Sequence, residues 1–119
     1  MSRAEALVLG CGLVLAIGLG ACGPSIDDLI EDVATSPESR ESARQELLLA
    51  KERAVAPLLA AIADPTLATG REPLVEALIS LMVRVDDPRI VDTLAQLLTH
   101  DTDARIRARI ARGLGLQRR

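Results

Sequence analysis

Residues 53–78 read RAVAPLLAAIADPTLATGREPLVEAL, and the fold turns on them. Val55, Leu58, Leu59 and Ile62 recur at the three- and four-residue spacing that lines one face of an α-helix. Asp64-Pro65 closes that helix, because the residue before a proline is driven out of the helical region. Thr69 and Glu72 then have the spacing of a capping box, which predicts a new helix over roughly 71–84. Two helices joined by a short turn are therefore written into this one stretch.

The same pattern continues on both sides. Ile26, Leu29, Ile30 and Val33 repeat the Val55 stripe at identical spacing. Ile90, Leu94 and Leu97 repeat it again, with Thr93 in the slot that Leu58 fills. Further helices are predicted over roughly 38–50 and 103–116. Ser25 with Asp28 forms a second candidate capping box, Asp87-Pro88 supplies an N-cap followed by an N1 proline, and Asp101 or Asp103 can cap the last helix. No useful stretch alternates with period two, and the aromatic content is 0%, so the usual strand signals are missing. The fold class is all-α.

A longer period lies over the helices. Arg40, Arg71 and Arg107 are each followed three positions on by Ala43, Leu74 or Ile110, and seven on by Leu47, Leu78 or Leu114. Val55 to Ile90 is 35 residues and Arg71 to Arg107 is 36, whereas Arg40 to Arg71 is 31, so the first unit is shorter. With the Val55-Ala56-Pro57-Leu58-Leu59 stretch and the Asp-containing turns, this pattern resembles HEAT and HEAT-like repeats across essentially all of residues 26–119. The resemblance implies a short α-solenoid of antiparallel helix pairs, about three repeats long. It also implies that Arg40, Arg71 and Arg107 form a structural ladder with turn aspartates, for which Asp64, Asp101 and Asp103 are the candidates. Solenoids of this kind serve many ends, so the resemblance speaks to fold more than to function.

Residues 6–26 carry no charge, and Ala6–Ala21 reads ALVLGCGLVLAIGLGA. As a helix those 16 residues would span about 24 Å, short of a hydrocarbon core of about 30 Å. Arg3 before the run and small residues closing it give the layout of a secretory signal, although Glu5 is unusual there. Leu19-Gly20-Ala21-Cys22 resembles the bacterial lipobox. That resemblance implies a lipoprotein signal peptide over 1–21, acylation of Cys22, a short linker over 22–25 and a helical domain over 26–119. Gly23 after the cysteine, rather than Asp, points by the same resemblance to the outer membrane of a bacterial envelope. Acyl chains at about 0.8 kcal/mol per buried CH₂ would hold the chain at the membrane. Cys11 would leave with the signal, so no disulfide is expected in the mature chain.

Composition narrows the chemistry. Without Phe, Tyr or Trp there is no stacking platform for single-stranded nucleic acid and no tyrosine nucleophile. One histidine and two cysteines do not make a zinc site of ordinary ligand count. His100-Asp101 has no nucleophile placed beside it by any motif and reads as a solvated turn. Asp27, Asp28, Glu31 and Asp32 lack the spacing of a calcium loop and suit the first turn of a helix. No enzymatic role, no cofactor and no metal are expected.

Charge is more informative than the net −3. Residues 22–52 hold three basic against eight acidic side chains, whereas 101–119 hold six against two. Arg105, Arg109 and Arg112 are expected on one outward ridge of the last helix, with Arg118 and Arg119 beyond, a candidate contact for an acidic partner or anionic headgroup. The second helices are expected to line the inner face through Asp28 and Asp32, Pro57, Ala61 and Asp64, then Arg89, Asp92, Gln96 and Thr99, a surface suited to a protein segment. The expected function is a membrane-anchored scaffold for an unknown protein partner. The alternatives are an accessory subunit of the kind that resembles phycobilin lyases, and an anion- or nucleic-acid-binding solenoid. The last helix, with nothing after it, leaves an end through which a homo-oligomer could form.

Overall fold

The computed structural model describes residues 23–117, with side chains from 23 to 115. The lipobox, Cys22, Arg118 and Arg119 lie outside the described residues. Six α-helices follow one another: α1 (Ile26–Thr35), α2 (Arg40–Ala50), α3 (Glu52–Ala63), α4 (Arg71–Met82), α5 (Pro88–His100) and α6 (Ala104–Gln117). A 3₁₀ segment, Pro65–Gly70, connects α3 to α4. No strand is present among the described residues.

The helix starts are set by short polar side chains. Ser25 and Asp28 cap α1 reciprocally: the Asp28 N–H donates to Ser25 Oγ at 3.1 Å, and the Ser25 N–H to Asp28 Oδ2 at 3.4 Å. Asp87 accepts from the Arg89 N–H, with Pro88 at the first helical position of α5. Asp103 accepts from the Arg105 N–H at 2.9 Å and begins α6. The box expected at Thr69 and Glu72 does not form. Gly70 occupies the cap position of α4 without a side-chain bond, and the capping chemistry sits one turn earlier, where Asp64 accepts from both the N–H and the hydroxyl of Thr66. The proline that closes α3 thus opens a 3₁₀ turn instead of a loop.

α2 and α3 are separated by Lys51 alone, whose φ of 53° and ψ of −121° turn the chain. Its N–H still bonds to the Leu48 carbonyl and its C=O accepts from Ala54. Pro57 lies inside α3 and removes the bond to the Arg53 carbonyl; Arg53 is exposed, so water can serve that group.

Each helix buries an aliphatic stripe. Leu47, Leu58, Leu74, Leu78, Leu81, Ile90, Leu94 and Ile110 are all essentially sealed from solvent, and each such side chain is worth about 1.5–3 kcal/mol of burial. The most extensive helix contacts join α1 to α2, α3 to α4 and α5 to α6. Beyond these pairs, α1 touches α3 and α3 touches α5, while α2 touches α4 and α4 touches α6. Contacts also cross between these two series: α4 meets α1 and α5 as well, so it touches all five other helices.

Small residues decide how closely these elements approach. A Cβ on Gly70 would lie 2.6 Å from the Ala34 Cα and closer still to its carbonyl oxygen, so the turn before α4 rests on the backbone of α1. In α3 the buried set is Ala54, Val55, Leu58, Ala61 and Ile62, with Leu59 only partly covered. Ala61, expected to face outward, is buried. The buried face is thus rotated away from Leu59 toward Ala54 and Ala61.

Candidate functional site

Two clefts of opposite lining charge occur in the described chain. The first lies between α1, α3 and the 3₁₀ segment and encloses about 330 Å³. Its floor is apolar, from Ile30, Pro57, Ala60, Ala61 and Leu67, and its rim carries Asp27, Glu31 and Asp64. None of these three carboxylates forms a salt bridge with a described residue. The Thr66 hydroxyl and N–H hold the Asp64 carboxyl below the usual aspartate range, so it stays charged into mild acid.

Helical geometry explains which acids arrive there. Ile30 is buried at the contact with α3, and Asp27 and Glu31 sit one turn apart beside it. Asp28 and Asp32, the acids expected on this surface, point elsewhere: Asp28 is used in the α1 cap, and neither lines the cleft. Asp92 and Gln96 are exposed on α5 and line neither cleft.

The second cleft, of about 300 Å³, lies between α2, α4 and α6. Arg44, Arg109 and Arg112 reach it, together with Glu76 and Ser80, over Ile79 and Gly113. Arg44 is held by Glu41 at 2.7 Å and by the Ser80 hydroxyl at 3.0 Å. Arg109, expected on the outward ridge, instead turns in to α4, where it pairs with Glu72 at 3.0 Å and with Glu76. It adjoins the buried stripe of Ile106, Ile110 and Gly113, so its side chain lies along the helix contact, and its Nε is buried without an acceptor. Among the described residues the exposed basic ridge of α6 is thus Arg105 and Arg112, with the exposed Ala108 between them. Arg105 also reaches Asp103 at 3.6 Å.

The three ladder arginines do not share one arrangement: only Arg71 takes an aspartate side chain, while Arg40 and Arg107 bond to backbone carbonyls. Arg40 donates from Nε to the Val33 carbonyl at 2.7 Å, closing the end of α1. Arg71 pairs with the buried carboxylate of Asp101, and Arg107 donates to the Asp101 carbonyl at 2.7 Å. Asp101 Oδ1 also accepts from the Asp103 N–H at 2.8 Å. Asp101 thereby ties the first turn of α4 to the junction of α5 and α6. Asp64 and Asp103 are not partners of the ladder arginines, because each is committed to a local turn. His100 is the last residue of α5 and is exposed, a favourable place for a basic group at a helix C-terminus.

Among the described residues, no group of three or more His, Cys, Asp or Glu is gathered so as to hold a metal ion, and no helix is long and apolar enough to cross a membrane. The sequence offers Asp27 and Glu31 only within an acidic cluster read as the start of a helix, and it is the α1–α3 contact that brings them to the cleft. Arg44 and Ser80 carried no sequence signal, being 36 residues apart. No family model matches the chain, and no curated protein or solved structure matches it.

Proposed function

We propose that the chain is a lipid-anchored scaffold of the bacterial cell envelope, a short HEAT-like α-solenoid that binds a protein partner and performs no catalysis. The observation carrying this reading is the contact order of the helices. Each helix packs most extensively on a chain neighbour, α1 on α2, α3 on α4 and α5 on α6, and the pairs adjoin through α1–α3, α3–α5, α2–α4 and α4–α6 as in a row of helix pairs, with α4 reaching across to α1 and α5 as well. The pairing of Arg71 with Asp101, the one contact of the expected arginine–aspartate ladder found among the described residues, supports the same reading. The anchor rests on Leu19-Gly20-Ala21-Cys22. The α5 surface, with Asp92 and Gln96 exposed and uncommitted to the core, is the face available to a partner.

Two measurements test it. Metabolic palmitate labelling of the full chain should be lost in Cys22→Ser, and equal labelling of both proteins would refute the anchor. Cross-linking in cells followed by purification should recover a partner with the wild type and lose it with Asp92→Lys/Gln96→Lys. An unchanged partner would remove the α5 face from the assignment.

A further inference from the structure

The acidic cleft and the basic helix of this chain are complementary to each other, and one molecule cannot bring them together. Asp27, Glu31 and Asp64 rim an apolar floor at one end of the helix row. Arg105 and Arg112 flank Ala108 at the other end, on α6. Among the described residues, neither α1 nor α3 packs against α6. The basic residue nearest the cleft in helical register, Arg53, stands one turn before Pro57 and lines no part of it.

We propose that the α1–α3 cleft receives the exposed face of α6 from a second copy of the chain, so that copies associate head to tail. The patches suit each other in charge. Seven residues of helix place Arg105 and Arg112 about 10 Å apart along α6. Between them Ala108 lets the helix come close to Ile30, Pro57 and Ala60. The arginine stems then lie along that apolar floor and their guanidinium groups meet the rim carboxylates. A metal ion is a poorer occupant, because the rim acids are not gathered into a ligand set.

The contact is heterologous: each copy offers a cleft at one end and a ridge at the other, so growth does not stop at a dimer. With a small interface and exposed charges, it is weak and salt-sensitive in solution. Confinement to a membrane surface would raise the effective concentration and favour it.

The test is sedimentation of the full-length chain in a non-ionic detergent, with circular dichroism to verify folding. At low salt the weight-average mass should rise about two-fold or more with concentration, and it should return to the monomer value near 0.5 M NaCl, where charges are screened within a few ångströms. Asp27→Lys/Glu31→Lys and Arg105→Glu/Arg112→Glu should each remain monomeric, since in each the cleft and ridge carry like charge. Mixed in equal amounts they should associate again, because the reversed cleft of one matches the reversed ridge of the other. Should the lysine pair unfold α1, Asp27→Asn/Glu31→Gln replaces it, with weakened self-association expected. A monomeric wild type at low salt, variants that associate like the wild type, or a mixture that stays monomeric would overturn the proposal. All four side chains lie apart from the α5 residues tested for partner capture, so either idea can fail alone.

Discussion

Replacing Gly70 by alanine should destabilise the protein far more than one methyl group would elsewhere. The Gly70 φ of −102° suits any residue, so the effect is one of space rather than backbone freedom. The new Cβ would stand 2.6 Å from the Ala34 Cα and 2.7 Å from its carbonyl carbon. Carbon atoms rest at about 3.5–4.0 Å, so the last turn of α1 must withdraw by about 1 Å. The obstruction is backbone, which cannot rotate away, and Ala34 and Val33 are both buried behind it. The cost should therefore fall at the upper end of the range for overpacking, about 3 kcal/mol. For a domain of this size that lowers Tm by about 12–24 °C. Urea and thermal unfolding followed by circular dichroism measure it. Gly115→Ala, which meets nothing within 4 Å, is the control. It should stabilise α6 by about 0.5–1 kcal/mol, because alanine loses less freedom than glycine in a helix. A loss below about 0.5 kcal/mol for Gly70→Ala would refute the reasoning, since it would mean that α1 yields without strain.

Other perturbations follow from the same contacts. Lys51→Gly should raise the unfolding free energy by about 1 kcal/mol, read as a higher urea midpoint at unchanged slope, because it relieves a strained conformation at a positive φ, whereas Lys51→Val should lower it. Asp101→Asn should cost about 2 kcal/mol, less than a fully buried pair would, because Arg71 is partly exposed and can reach water. A double-mutant cycle with Arg71→Met, read by equilibrium unfolding, should show coupling between them. Asp64, Asp87 and Asp103 are each held below the usual aspartate range: Asp64 chiefly by the Thr66 hydroxyl, Asp87 by the Arg89 side chain and Asp103 by the Arg105 N–H. A depressed folded value means that their contribution is complete above the ordinary aspartate value, near pH 4, and is lost as pH falls through the folded values. Tm should be flat with respect to these groups from about pH 7 to 5 and decline below about pH 4; a decline already complete at pH 5 would contradict this.

The helices were legible because their signals are local. The stripes Leu29–Val33, Val55–Ile62 and Ile90–Leu94 depend only on spacing within one helix, and the Ser25 and Asp87 caps on neighbouring residues. What was not legible depends on a second helix. Ala61 is buried because of the approach of its neighbours, Arg109 turns inward because Glu72 and Glu76 await it, and Asp27 replaces Asp28 at the cleft because Ile30 faces α3. The Thr69–Glu72 spacing satisfied a local rule that the 3₁₀ turn and the close approach of Gly70 to α1 override. Position along the chain identified the right neighbourhoods; the rotation of each helix within them came from packing.

The single residue between α2 and α3 fixes where this chain can change length. The Lys51 N–H serves the end of α2 and its carbonyl serves the start of α3, so an inserted residue there would break one helix end or the other. The segment after α4 differs: Val83, Arg84 and Asp86 are exposed, with only Val85 anchored in the core. Epitope tags, cleavage sites and natural length variants should therefore be accommodated beside Asp86 and rejected at Lys51, which makes the α2–α3 joint the fixed point of the chain's architecture.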